Sequence, residues 1–294
     1  MDLIRLRRGL SFALAMGVCA VLLAGCSRAR MGYDWIPALT VWQLERYLAL
    51  DREQAQETRR DLGAVLDWHR RAELPGYAAY LDQTARRLEG APTVDAAVFQ
   101  DWRERVHGAW LALVPQLGPP LAELALSLRE SQIDRLERRL AERTEELHAE
   151  YLPPDSRRQI EGRVERWLDR AEFFFGEVSD GQRQALQRLA GQMPAYERLW
   201  LQERELRVQT LLALLRRIAR EQPSPAAASR WCEDYLAGLW QSTDPARQAR
   251  IDEASRHADS ISLVMINQAS HDQRARLLQK LRGYVSDFAL LAAR

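Results

Sequence analysis

Histidines are the side chains of this sequence best suited to acid–base or metal chemistry near neutral pH. His69 is followed four residues later by Glu73, and on a helix this spacing places both side chains on one face. The pair could carry out acid–base chemistry, or the imidazole could donate to the carboxylate and hold helices together. We favour the structural interpretation and assign no catalytic residue. The sequence also has no two histidines four apart with an intervening glutamate, so the zinc-peptidase motif is absent.

Motifs for other reaction types are missing as well. The sequence has no Gly-x-Ser-x-Gly or Ser-x-x-Lys motif, and Lys280 is its single lysine. It also lacks the glycine-rich loops that cradle phosphates. His148, which follows Glu145 and Glu146, is typical of a solvated charge cluster rather than a metal site. We therefore expect no metal, no cofactor and a protein that is not an enzyme, with an enzyme built on His69 and Glu73 as an alternative.

Composition indicates a globular body that does not bind nucleic acid. The 294 residues are 47% hydrophobic and 28% charged, which is typical of a soluble protein with a real core. The 42 lysines and arginines nearly balance the 41 aspartates and glutamates. This balance excludes a global basic field, so we expect no nucleic-acid partner.

The first 26 residues have the composition of an export signal. Three arginines precede an apolar stretch from Gly9 to Ala24, which is short for a membrane span. The stretch ends in Leu23-Ala24-Gly25-Cys26, which resembles the bacterial lipobox, in which the signal peptide is removed and the cysteine is acylated. We therefore expect removal of residues 1–25 and lipidation of Cys26. An ordinary signal peptide or an uncleaved anchor is the alternative.

The residues after Cys26 bear on where the body is held. Ser27 favours the outer membrane, by resemblance to the bacterial sorting rule, with the body facing the periplasm or, as an alternative, the cell surface. Residues 26–38 would form a lipidated tether. Trp35 and Trp42 could rest at the membrane interface or dock onto the body. Cys232 lies in a helical pattern that predicts a buried, inert thiol.

Apolar residues recur at intervals of three and four along the body, and no stretch alternates as a strand does. We predict an all-α fold, a multi-helix bundle of about ten helices, in a single domain over residues 39–294. A domain boundary near residue 118 or 223 is the alternative. The expected helices are 40–50, 51–72, 75–89, 95–114, 120–150, 156–177, 179–192, 194–221, 225–242, 245–268 and 270–292.

Narrow apolar seams and proline-containing breaks predict a long antiparallel hairpin. Gly118-Pro119-Pro120 indicates the start of one helix, and Leu152-Pro153-Pro154-Asp155 indicates the turn to the next. The hairpin would cover about residues 120–177 and could protrude from the body.

Helix starts carry a repeated signature. In a capping box, Ser, Thr or Asp caps the helix and Glu or Gln follows three residues later, so that two side chains satisfy two backbone N–H groups. Each cap contributes about 1 kcal/mol. The pattern occurs at Thr40/Gln43, Asp51/Gln54, Ser127/Glu130, Ser156/Gln159, Ser179/Gln182 and Ser270/Gln273.

Motifs near the amino terminus resemble an uncharacterised family of Gram-negative lipoproteins, domain-of-unknown-function family 6279. The order is Tyr33, Leu50-Asp51-x-x-Gln54, Trp68-His69-Arg70 and Glu73-Leu74-Pro75-Gly76-Tyr77, within about residues 26–80. The resemblance implies a helical outer-membrane lipoprotein with no known activity.

A second resemblance concerns the caps. Leu39-Thr40-x-x-Gln43, Leu50-Asp51-x-x-Gln54 and Val178-Ser179-x-x-Gln182 are similar to the Leu-Thr-x-x-Gln signature of Spy- and CpxP-type periplasmic chaperones. We expect a lipid-anchored binding or scaffold protein whose partners are the membrane, through the acyl chains, and another envelope protein. A chaperone-like binder of unfolded envelope proteins is the alternative.

Overall fold

A computed structural model gives the fold for residues 28–91, 93–193 and 196–294, with side chains described from Gly32 onward. Within these ranges the chain forms eleven α-helices and no strand, which confirms the predicted all-α multi-helix bundle. The helices are α1 (Arg28–Leu48), α2 (Arg52–Ala72), α3 (Leu74–Gly90), α4 (Ala97–Ser127), α5 (Glu130–Tyr151), α6 (Ser156–Phe175), α7 (Asp180–Gln192), α8 (Tyr196–Glu221), α9 (Pro225–Gly238), α10 (Pro245–Asn267) and α11 (His271–Ala292).

The segment predicted as a tether is largely helical. Residues 28–38 form the first half of α1, and Thr40 and Gln43 lie inside this helix instead of capping its start. The Thr40/Gln43 capping pattern predicted a helix start at residue 40, but the helix already includes Pro37, which lacks the N–H that would donate to the preceding turn. The side chain of Tyr33, one turn earlier, is buried in the body, and this burial holds the earlier turns in the helix.

The long helix α4 continues through Gly118-Pro119-Pro120, where a break was predicted, and it contains three prolines in all. They are Pro115, Pro119 and Pro120. Helix α9 packs closely along α4 here, because a Cβ on Gly118 would lie 2.4 Å from Cγ of Glu233. Trp110 Nε1 of α4 also donates to the carbonyl of Leu236 at 3.0 Å. This packing maintains the helix where proline removes backbone donors. The alternative domain boundary near residue 118 would therefore fall within the continuous helix α4.

The predicted hairpin over residues 120–177 is wrong. Residues 120–127 belong to α4, and the next two helices pack mainly against other neighbours. Helix α5 packs against α8 and α1, whereas α6 packs against α7 and α11. The two helices meet near their turn, where the guanidinium of Arg166 lies 4.7 Å from the ring centroid of Tyr151. Their apolar seams therefore face the rest of the bundle instead of each other.

The helices form two sets that are packed in the same way. In the first set α1 packs against α2 and α5, and α2 packs against α4; in the second α6 packs against α7 and α11, and α7 packs against α10. The next helix along the chain from α2 is α3, and it packs against α11 of the second set. In the same way α8, which follows α7, packs against α5 of the first set. This internal repeat is not apparent from sequence spacing, because α3 separates the halves of the first set whereas both α8 and α9 separate those of the second.

Capping boxes with both hydrogen bonds are present at three of the predicted helix starts. They are Asp51/Gln54, Ser179/Gln182 and Ser270/Gln273. In each box the cap side chain accepts from the glutamine N–H, and the glutamine Oε1 accepts from the cap N–H.

The glutamines of these caps are paired across the bundle. Gln182 Nε2 donates to Gln273 Oε1 at 2.8 Å, and Gln273 Nε2 donates to Gln182 Oε1 at 2.9 Å. Gln54 and Gln132 pair in the same reciprocal way in the first set, at 3.3 and 2.9 Å. All four side chains are buried. We call these two pairs the glutamine clasps, because each joins two helix starts of one set.

The predicted box at Ser127/Glu130 is wrong by two residues. Ser127 ends α4, and its hydroxyl donates to the carbonyl of Leu124 at 2.8 Å. Glu130 is the first residue of α5, and Arg129 is the residue before it. The backbone N–H of Arg129 donates to Gln132 Oε1 at 3.0 Å, so the glutamine of the clasp also serves this helix start.

The predicted box at Ser156/Gln159 is wrong by one residue. Asp155 caps α6, because its Oδ1 accepts from the backbone N–H of Arg157 at 2.9 Å. Ser156 is the first residue of the helix, and Gln159 Nε2 donates to the carbonyl of Pro153 at 2.8 Å. Adjacent Asp and Ser are both good capping residues, so residue type alone could not place the cap.

Cys232 is buried in a core cluster that also contains Leu215, Ile218 and Ala228. Burial, with a smaller effect of the Glu233 charge, raises the pKa of its thiol to about 12. The thiol is therefore protonated and inert near neutral pH.

None of the described helices is by itself long and apolar enough to cross a membrane. Taken together, the consecutive helices α4 and α5 have the length and apolar composition of a span, but they are bent by 114° relative to each other.

Candidate functional site

His69 lies where α1, α2, α3 and α11 meet. Its residue is 3% exposed, and its Nδ1 lies 2.8 Å from the hydroxyl oxygen of Tyr33. That hydroxyl also donates to the carbonyl of Leu66 at 3.2 Å. The Nδ1-protonated tautomer satisfies both contacts, because the imidazole N–H then donates to Tyr33 while Tyr33 donates to Leu66. Tyr77 meets the imidazole edge-on at 5.5 Å and contacts Phe288 of α11.

Glu73 does not face His69 as an acid–base pair. Its backbone N–H donates to the His69 carbonyl at 3.0 Å, and no hydrogen bond or ion pair joins its carboxylate to the imidazole. Glu73 instead separates α2 from α3, with Leu74 buried and Pro75 in the first turn of α3. Proline suits this position because the first turn needs no backbone donor. These motif residues therefore shape the corner between two helices.

Arg70 and Trp68 hold the same corner from outside. Arg70 forms an ion pair with Asp67 of its own helix and lies 3.9 Å from Asp34 of α1. Asp34 in turn accepts from Arg294 at 2.8 Å, so these charges link α1 to α2 and to the carboxyl-terminal residue. The ring of Trp68 lies 6.5 Å from the imidazole of His69. The motif thus joins both ends of the described chain.

We expect His69 to stay neutral in the folded protein down to about pH 4. Burial lowers the pKa of His69 from 6.5 to about 4. The unfolded chain binds this proton below pH 6.5, so the free energy of unfolding should fall by about 3 kcal/mol as pH drops through this window. Urea unfolding at about pH 7 and pH 4.5 measures the loss, and a His69→Gln variant should lose less. An imidazole that titrates near pH 6.5 by NMR would contradict this prediction.

Two of the other histidines, His148 and His107, each contact a single neighbouring side chain. His148 Nε2 lies 2.6 Å from Glu205 Oε1 of α8, at the surface, and the ring of His107 stacks on Trp240 at 4.9 Å. In the described ranges, no three His, Cys, Asp or Glu side chains come together in a way that could hold a metal ion.

A cleft of about 290 Å³ opens between the end of α5, α6, the start of α8 and α10. Four aromatic side chains line it, and we call it the arginine–aromatic cleft. They are Tyr151, Trp167, Tyr196 and Trp200. Desolvation raises the pKa of both Tyr151 and Tyr196, so their hydroxyls are neutral at pH 7. Its size and lining are those of a site for a small ligand or for a short part of a larger one.

Arg163 and Glu197 form the rigid floor of the cleft. Arg163 Nε and Nη2 donate to the two Glu197 carboxylate oxygens at 2.8 and 2.6 Å, and the two side chains are 8% and 7% exposed. Arg163 Nη1 also donates to the carbonyls of Ala190 and Met193 at 3.1 and 2.8 Å. Desolvation alone would raise the pKa of Glu197, but the hydrogen bonds and charge of Arg163 outweigh it and lower that pKa.

Two further guanidiniums stand above this floor. Arg166 Nη2 donates to Glu197 Oε1 at 2.9 Å, and its guanidinium lies over Tyr151. Arg170 lies 5.0 Å from the ring centroid of Trp167, and it has no carboxylate partner among the described residues. Desolvation of its guanidinium, followed by repulsion from Arg166, lowers the pKa of Arg170. Three positive charges thus face one negative charge.

Sequence reasoning missed this cleft, although one signal was present. Arg163, Arg166 and Arg170 are spaced three and four apart, which places them on one face of a helix. Their partner Glu197 comes 34 residues after Arg163, so only folding brings it near. The predicted lipobox and sorting residues, Leu23, Ala24, Gly25, Cys26 and Ser27, lie outside the residues that the structure describes.

Comparison with known proteins identifies a family but no activity. The model of a family described as a family of unknown function, DUF6279, matches residues 46–235, which is more than half of the chain. The match includes the motif from Trp68 to Tyr77 and the arginine–aromatic cleft up to Trp200, whereas Tyr33 precedes it. No curated protein and no solved structure matches the chain.

Proposed function

Because the chain belongs to the DUF6279 family, whose function is unknown, we propose a function from its own geometry. We propose a lipid-anchored lipoprotein at the periplasmic face of the outer membrane, which binds another envelope protein and is not an enzyme. The sequence Leu23-Ala24-Gly25-Cys26 supports the anchor, and Ser27 supports the outer membrane. The observation that carries the proposal is the exposed face of α1, directly after the anchor.

Large apolar side chains lie along one face of α1 without cover from the body. Trp35, Leu39 and Trp42 are spaced four and three apart, and they are 62%, 54% and 49% exposed. We call these three residues the tryptophan stripe. At a rise of about 1.5 Å per residue, it extends from about 11 to 21 Å along the helix that begins two residues after Cys26. Tryptophan prefers the membrane–water interface, so the stripe suits the surface that the acyl chains enter.

The opposite face of α1 is docked on the body. Tyr33, Val41 and Leu48 are buried, so the helix is fixed to the bundle while the tryptophan stripe points away from it. The guanidinium of Arg46 lies 5.0 Å from the ring centroid of Trp42, where it could meet lipid phosphates. The body would thus be held against the membrane in one orientation, which leaves its other faces for a partner.

The polar groups considered for chemistry support binding over catalysis. His69 is buried in the core and hydrogen-bonded to Tyr33, and His148 pairs with Glu205 at the surface. The arginine–aromatic cleft offers guanidiniums and aromatic rings, which recognise charge and shape. We therefore propose that this protein works through contacts with a partner.

We expect the body without its lipid, residues 27–294, to bind vesicles of phosphatidylethanolamine and phosphatidylglycerol through the tryptophan stripe. Burial of a large apolar side chain contributes about 1.5–3 kcal/mol, so the double variant Trp35→Ser, Trp42→Ser should bind at least about tenfold more weakly. Vesicle co-sedimentation measures the change. The matched control is Trp102→Ser, because Trp102 is 50% exposed but lies on α4. Equal losses in both variants, or no vesicle binding by the body, would contradict the proposed orientation.

A chaperone-like binder of unfolded envelope proteins is the second candidate. Exposed large apolar side chains also occur on α4, α8 and α11, at Trp102, Leu111, Leu206 and Leu290, and such side chains are typical contacts for unfolded chains. A chaperone would bind many clients weakly, whereas a scaffold would bind one partner through a compact surface of more than about 1,000 Å² in total. The range of captured partners therefore separates the two functions.

A further inference from the structure

Unbalanced positive charge in the arginine–aromatic cleft is the starting point. Glu197 is shared by Arg163 and Arg166, with both of its carboxylate oxygens engaged. Arg170, an exposed residue of the cleft lining, contributes a further guanidinium that lies over the ring of Trp167. A ligand that brings one negative charge would reduce the repulsion between Arg166 and Arg170. The cleft is therefore complementary to an anion.

The aromatic walls of the cleft indicate which chemical group the anion is attached to. The ring centroids of Tyr151 and Trp200 lie 5.2 Å apart, and Tyr196 is 38% exposed. Aromatic walls favour an aromatic or aliphatic group over a strongly hydrated one. A volume of about 290 Å³ is at the lower end for ligand sites and suits one or two residues of a peptide.

We infer that this cleft binds a carboxylate that is carried next to an aromatic or large aliphatic side chain of a peptide. The planar carboxylate would pair with Arg170 and Arg166, while the neighbouring side chain packs on Trp200 and Tyr196. Glu197, itself held by Arg163, positions Arg166 from the floor of the cleft. The inference rests on the proposed binding role and adds to it the chemistry of the segment recognised.

The test uses the full lipoprotein in nanodiscs, with N-acetyl-phenylalanine and its uncharged amide as probes. Isothermal titration should show binding of the acid and at least about tenfold weaker binding of the amide, because the amide keeps the ring but lacks the charge. Inorganic phosphate should also bind at least about tenfold more weakly than the acid, because it lacks the aromatic ring. Peptides that end in Glu-Phe, as free acid or as amide, separate a terminal carboxylate from a glutamate side chain.

Two matched variants locate the site. Arg170→Gln should weaken binding of the acid by about tenfold, and its thermal unfolding should be unchanged because Arg170 has no carboxylate partner in the described structure. Arg158→Gln is the control, because Arg158 is an exposed arginine on the same helix but does not line the cleft. Equal affinity for acid and amide, equal affinity for phosphate, an unchanged Arg170→Gln variant or no binding at all would each overturn the inference. None of these results bears on vesicle binding by the tryptophan stripe, so failure of this site and failure of the proposed anchor are distinguishable.

Discussion

Replacing Glu197 with glutamine is expected to lower the free energy of unfolding by about 3–5 kcal/mol. The variant leaves Arg163 charged, buried and without its carboxylate, and removing one partner of a buried ion pair is far more costly than losing a surface pair. Arg163 would keep its bonds to the carbonyls of Ala190 and Met193, which hold it in place without neutralising it. Urea unfolding near pH 7 measures the difference.

A surface pair provides the control for this prediction. Arg282 of α11 contacts Glu89 of α3 at 2.6 Å, but the two side chains are 54% and 50% exposed. Arg282→Gln should therefore cost less than about 1 kcal/mol. Similar losses in the two variants would contradict a special role for the buried pair.

Acid should remove the contribution of Glu197 in the wild-type protein. Arg163 and Arg166 outweigh desolvation and lower the pKa of Glu197 below its ordinary value of 4.5. A carboxylate whose pKa is lowered on folding stabilises the protein above its unfolded pKa and loses this effect as pH falls through its folded pKa. The difference between wild type and Glu197→Gln should therefore be constant above about pH 5 and shrink below pH 4.5.

Breaking a glutamine clasp is expected to lower the free energy of unfolding by about 2–4 kcal/mol. Gln182→Ala removes an acceptor from the Ser179 N–H and leaves Gln273 without its buried amide partner. A lost cap costs about 1 kcal/mol, and an unsatisfied buried polar group costs about 1–3 kcal/mol. Urea unfolding of Gln182→Ala, Gln273→Ala and the double variant measures both the loss and the coupling. We expect a coupling energy of about 1–2 kcal/mol, because the two side chains bond each other directly.

Gln159 is the matched control for the clasp. Its sequence context also resembles a capping box, but in the structure its side chain donates to the Pro153 carbonyl and joins no clasp. Gln159→Ala should cost about 1 kcal/mol or less. Additive losses from Gln182→Ala and Gln273→Ala would show that the two glutamines act only as separate caps.

The fold class follows from local patterns, whereas several boundaries depend on tertiary contacts. Intervals of three and four between apolar residues are sufficient to predict an all-α bundle. The segment Gly118-Pro119-Pro120 predicted a break in α4, but the helix continues because α9 packs along it at Gly118. No sequence pattern reveals this packing. The start of α1 was placed too late for a related reason, because the burial of Tyr33 depends on the distant His69. The hairpin prediction failed because the apolar face of a helix does not show which other helix it packs against.

The candidate site illustrates the same limit. His69 and Glu73 were singled out by spacing, yet a spacing of four cannot tell a solvated pair from an imidazole turned toward Tyr33, 36 residues away. The capping glutamines were found from their motif, but their pairing over 78 and 91 residues was not. Residue spacing predicts which side chains share a face of one helix, whereas the glutamine clasps and the arginine–aromatic cleft are formed by side chains of different helices. The arginine series on α6 was the one local signal of the cleft.

In-cell crosslinking of the full-length protein, followed by mass spectrometry of everything captured, tests the central proposal most directly. A dedicated binding protein predicts one dominant envelope partner, crosslinked at reproducible sites and unaffected by unfolding stress. Capture of many envelope proteins, increasing when envelope proteins are unfolded, would contradict the scaffold function and favour the chaperone. Capture of no protein above background would contradict a protein-binding function altogether.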